Sequence, residues 1–145
     1  MSLAIDIADA VTAELNAAPP GTFTPSFTAM RRVLPEFDLA DLADLKVSVV
    51  PKRVEITGST RSASQYEIAV DIGIQKKLGK DLDSEVAALS TLVDQIADYL
   101  RRRPLGAAPF ASWVSISNEP VYAPEHLAEQ RVFTSVLTVS YRALK

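Results

Sequence analysis

The sequence predicts an α+β fold: an antiparallel or mixed β-sheet with a long hairpin, packed on one face by two amphipathic helices. Three observations lead there. Tyr66, Ile68, Val70, Ile72 and Ile74 occupy every second position, which puts large apolar groups on one face of a strand. Val86, Leu89, Val93, Ile96 and Leu100 step by three and four, which draws an apolar stripe along a helix. Strand-like runs follow one another at Ser112–Ser117 and Phe133–Tyr141 instead of alternating with helices, which disfavours a βαβ stack.

The elements follow in order. Leu3, Ile7, Val11 and Leu15 recur every four residues and predict a helix over Leu3–Asn16, stopped by Pro19-Pro20-Gly21. Residues 22–35 are rich in threonine and phenylalanine, but Pro25 interrupts them and Pro35 closes them. The expectation is an extended, partly exposed arm or a bulged edge strand. Leu39, Leu42 and Leu45 suggest a short helix that Asp38 could cap.

Val47–Val50 and Arg53–Thr57 read as two strand runs separated by Pro51-Lys52. The polar stretch 58–64 is expected to be a mobile hairpin loop leading into the Tyr66–Ile74 strand. The second helix is expected over Ser84–Arg102, with capping oxygens at Asp81 to Ser84 and a stop at Pro104. Arg101, Arg102 and Arg103 then sit at its negative C-terminal end. In the last strand Phe133, Leu137, Val139 and Tyr141 share one face, and Thr134, Val136, Thr138 and Ser140 share the other. The stretch from Tyr122 to Leu127 reads as a loop with a helical turn.

Composition narrows the chemistry. The 145 residues fit one domain, 1–145, and 48% hydrophobic with 23% charged residues is ordinary for a globular chain. A net charge of −3 argues against a dedicated nucleic-acid binder. No cysteine is present, so neither a disulfide framework nor thiolate chemistry is available. The acidic Asp6 and the lack of an early basic cluster predict no secretory signal. No apolar run reaches the length of a membrane span, so no membrane partner is expected.

The five glycines are scattered, which leaves no phosphate-binding loop. His126 is the one histidine, sits beside Pro124 and has no partner in sequence reach. Asp38, Asp41 and Asp44 at spacings of three describe a solvated helix face as well as an oxygen-ligand set. Glu67 and Asp71 lie about 13 Å apart along a strand, too far for a paired-carboxylate glycosidase. No catalytic residue, cofactor site or metal site is therefore expected.

Several segments together carry a family resemblance. They are Ile5-Asp6-Ile7-Ala8-Asp9-Ala10-Val11, Leu45-Lys46-Val47-Ser48-Val49-Val50-Pro51 and Tyr66-Glu67-Ile68-Ala69-Val70-Asp71-Ile72-Gly73-Ile74-Gln75-Lys76-Lys77. The run from Ser112-Trp113-Val114 to Tyr122-Ala123-Pro124-Glu125-His126-Leu127 and the closing Phe133 to Val139 complete the pattern. In element order over nearly the whole chain it resembles the tail terminators and head–tail joining proteins of tailed bacteriophages, of the minor tail protein U type.

The resemblance implies an α+β subunit of a virion (tail or neck), made in the host cytoplasm, that forms a ring, typically a hexamer, on the tail tube. The implied partners are other copies of the chain, the tail tube protein and the head connector, with DNA passing through unread. Candidate subunit contacts are Phe23, Phe27, Arg31 and Arg32 in the arm and Ser59, Thr60, Arg61 and Ser62 in the loop. Glu67 and Asp71 are candidate acidic residues facing the bore. A connector-side adaptor ring is the alternative expectation, and a cytosolic binding module unrelated to phage is the other.

Overall fold

A computed structural model describes residues 2–33, 41–58 and 60–144. Five strands form one mixed sheet in the order β1-β2-β3-β5-β4. They are β1 (Ala29–Arg31), β2 (Lys46–Gly58), β3 (Ser64–Lys77), β4 (Ser112–Asn118) and β5 (Val132–Leu144). The helices are α1 (Leu3–Asn16), α2 (Leu82–Leu100) and α3 (Pro124–Gln130), with a 3-10 turn at Asp41–Ala43. β1 runs parallel to β2, and every other pairing is antiparallel. The predicted α+β class, with a mixed sheet and a long hairpin, is the observed one.

Period-two register divides the sheet into two faces. Ile68, Val70, Ile72 and Ile74 of β3 stand opposite Tyr141, Val139, Leu137 and Ser135 of β5, and all are buried. Ile7, Ala8, Val11 and Leu15 of α1 close over this face together with Leu89, Leu92, Val93, Ile96 and Leu100 of α2. Each large aliphatic side chain buried this way contributes about 1.5–3 kcal/mol. Leu92 belongs to the stripe although the three-four spacing passes over it.

Capping explains where the helices start. The Ile5 N–H donates to Ser2 Oγ at 3.4 Å, and Asp6 sits in the positive first turn of α1. In α2 the Ser84 N–H donates to Asp81 Oδ1 at 3.2 Å, so the helix opens at Leu82, two residues before the sequence expectation. Glu85 accepts the Gly79 N–H at 2.9 Å and fixes the approach from β3.

Two expectations need correcting. The break at Pro51-Lys52 is a bulge inside one thirteen-residue strand, because the register shifts between Pro51 and Arg53. Pro51 lacks an N–H, which makes this the cheapest place to interrupt the ladder. The helical turn expected within Tyr122–Leu127 is a seven-residue helix, α3, that starts at Pro124 and runs past Leu127 to Gln130, with Arg131 in the left-handed region (φ 52°) after its end. The described part of the 22–35 stretch, up to Val33, is partly exposed and ends in the edge strand β1. Asp38, Leu39, Pro35 and Ser59 lie outside the described residues, as does the side chain of Asp41.

Candidate functional site

The outer face of the sheet, opposite α1 and α2, holds an open groove of about 470 Å³. Its floor is rich in hydroxyls from Ser115, Ser117, Thr138 and Ser140, and its rim carries Lys52, Arg53, Glu67 and Glu119. Both acidic residues expected at the bore are here or adjacent. Asp71 accepts the Thr138 hydroxyl at 2.6 Å and lies 3.7 Å from Lys52 Nζ. Glu67 lies 4.0 Å from Arg53 Nη2 and directly opposite Arg142 on β5. The surface is therefore one of compensated charges, not a bare acidic strip. The basic partners come from the bulge in β2, which the sequence did not reveal as one strand.

The arm is tied down at three points. Phe23 is buried, its ring 4.9 Å from Phe27 and edge-on to Tyr99 at 5.4 Å. The Thr24 N–H donates to Gln95 Oε1 of α2 at 2.9 Å. Asn16, at the end of α1, accepts the Ala29 N–H at 2.8 Å and donates to the Ala29 carbonyl at 3.0 Å. Those interactions hold the stretch against the body, where it ends in the edge strand β1. Among the arm candidates, Phe23 spends its ring inside the protomer, Phe27 is half-buried, and Arg31 pairs with Asp9 at 2.6 Å. Arg32 is half-buried at the same edge.

The hairpin candidates Thr60, Arg61 and Ser62 are exposed. A tight turn closes the tip: the Thr60 N–H donates to the Ala63 carbonyl at 3.1 Å, and the Ala63 N–H to Thr60 Oγ1 at 3.0 Å. Below the tip, Val54 and Ile56 continue the sheet face that α1 and α2 bury elsewhere, yet they are 39% and 57% exposed. The first turn of α1 shares a cleft with Pro51 through Ser2, Ala4 and Ile5. The β2 side of the hairpin is thus open on this face, while Tyr66 and Ala143 at the same register pack in or against the core.

Glu14, on α1, is a hub that the helix periodicity does not single out. Its carboxylate accepts the Gly106 N–H at 3.0 Å and lies 3.4 Å from Arg103 Nη1, and its carbonyl accepts the Tyr99 hydroxyl at 3.0 Å. The Arg103 guanidinium stacks 3.8 Å above the Tyr99 ring. One arginine of the 101–103 run is therefore built into the structure, while Arg101 and Arg102 are exposed. Nearby, burial pushes the Tyr141 hydroxyl well above the usual phenol range, and the Glu14 carboxylate adds to the shift.

His126 finds its partner on another element: its Nδ1 lies 2.8 Å from Thr134 Oγ1. That contact ties α3 to β5, and spacing alone could not show it. Among the described residues no three His, Asp or Glu side chains converge on a metal-sized site. None of the described helices is long and apolar enough to cross a membrane. No protein-family model matches the chain, and no curated protein matches it.

Proposed function

We propose that the chain is a structural assembly protein: copies close into a ring, six in the family it resembles, at the head-proximal end of a phage tail tube. The ring ends tube growth and presents the surface to which the head connector attaches. No step in this role calls for a catalytic residue or a cofactor.

The observation that carries the reading is the exposed apolar β2 side of the β2–β3 hairpin. A monomer gains nothing from leaving Val54 and Ile56 in water on a face that is otherwise core. A subunit that must reach its neighbour does. The element order and the resemblance stated above supply the identity of the assembly.

The outer groove supports the same reading from another direction. A bore lined by hydroxyls and compensated charges would release few counterions from DNA and hold it weakly. Gold-labelled antibody against the chain, applied to purified virions and to headless tails, tests the proposal. Label at the head-proximal tip of isolated tails supports it. Label on DNA-filled heads without tails moves the protein to a connector-side adaptor ring. Particles without label refute both.

A further inference from the structure

Among the described residues, five of the nine exposed large hydrophobic side chains lie at the two ends of the sheet order. At the β1 end, Ile5, Met30 and Val33 are 38%, 42% and 79% exposed. Ile5 and Val33 line an open cleft of about 250 Å³ with Arg31, Arg32 and Pro51. At the opposite end, the segment that continues from β4 exposes Val121 (55%) and Tyr122 (41%). Its backbone stays alongside β5, with the Glu119 and Ala123 N–H groups donating to Val136 and Thr134 carbonyls at 3.0 and 2.9 Å. These residues are therefore held in place at the sheet's edge.

Charge differs between the two ends in the same sense. The β1 end carries the consecutive Arg31 and Arg32. From Glu119 to Gln130 the chain has Glu119, Glu125 and Glu129 and neither lysine nor arginine. One end is apolar with two arginines beside Asp9, which pairs with Arg31 at 2.6 Å, and the other is apolar and acidic. Because strands β2, β3 and β5 lie between them, one chain cannot bring the two together.

We infer that the β1 edge of one copy receives the 119–125 segment of the next, with Val121 and Tyr122 seated at the Ile5–Val33 cleft and the glutamates facing Arg31 and Arg32. Two different patches meeting this way make a heterologous contact, which propagates until the rotation closes. The inference rests on the self-assembly part of the proposed function and names its surfaces. It leaves the groove on the outer sheet face free.

Mixing two blocked variants tests it. Val33→Asp disables one edge and Val121→Asn the other, and the two altered edges offer each other no opposite charge. Both side chains are exposed, so melting curves should match the wild type. Mass is measured by light scattering during size exclusion on the full chain, at about 0.05 M and about 0.5 M salt.

The inference expects a wild type larger than a monomer, weaker in high salt, and each variant alone at least tenfold weaker in association. Mixed together, the variants should give a one-to-one heterodimer and nothing larger, since each supplies one intact edge. If both variants assemble like the wild type, the contact is elsewhere and the inference falls while the ring reading stands. If one variant alone is unaffected, the contact is isologous and the inference falls. A wild type that stays monomeric in low salt also overturns it, and the antibody labelling above then decides the ring reading on its own.

Discussion

Tyr141→Phe should stabilise the protein, and the gain should grow with pH. Tyr141 is fully buried, and among the described residues its hydroxyl has no hydrogen-bond partner. An unsatisfied buried hydroxyl costs about 1–3 kcal/mol, and phenylalanine keeps the ring while removing it. We expect a gain of about 1–2 kcal/mol at neutral pH, or roughly 3 °C in Tm per kcal/mol for a domain of this size.

The pH dependence follows from linkage. In the unfolded chain the phenol loses its proton near pH 10. In the fold, burial and the Glu14 carboxylate hold the proton on well above that. Between those values the unfolded state binds fewer protons, so wild-type stability falls as pH rises, by up to about 1.4 kcal/mol per pH unit. The variant lacks this loss. The difference between the two should be flat from pH 6 to about 9 and widen above about 10. Urea titrations at a series of pH values measure it. A variant that is less stable at neutral pH, with a difference that stays flat, would show that the hydroxyl has a partner such as a buried water.

Four further outcomes follow from the packing. Asn16→Ala removes both hydrogen bonds to Ala29 and should cost about 1–3 kcal/mol, with faster hydrogen exchange at Ala29–Arg31 than elsewhere in the sheet. Val93→Asp places a charge at a position that is 2% exposed and should cost about 4 kcal/mol or more; an unchanged melting curve would put Val93 outside the core. Arg103→Ala loses the Glu14 pair and the stack on Tyr99, for about 1 kcal/mol because the side chain is 40% exposed, and Arg103→Lys should recover only part of it. Replacing residues 59–63 with Asn-Gly joins the paired Gly58 and Ser64 by a two-residue turn. It should leave chemical denaturation within about 0.5 kcal/mol while weakening ring assembly.

The parts of the fold with local periodicity were legible in the sequence. α1, the core stripe of α2 and the faces of β3 and β5 follow from residues whose own spacing decides their burial. The anchoring of the arm was not, because nothing local in Thr22–Thr28 announces that Phe23 will stack on Tyr99, seventy-six positions later in the numbering, or that Asn16 will clamp Ala29. The β2 bulge was hidden for a related reason: proline looks like a strand end until a partner strand carries the ladder past it. The compensated charges of the groove are likewise cross-strand facts. Glu67 and Asp71 could be placed on one face, but their partners depend on which residues of β2 the bulge brings alongside. The sheet order alone puts the β1 and β4 edges at opposite ends, and with it the two apolar patches on which assembly would depend.

The most direct test of the central claim is electron microscopy of particles from a producing phage in which the gene for this chain is silenced. The account predicts tails of uncontrolled length, or finished tails that fail to join heads. Intact virions of normal tail length would contradict it.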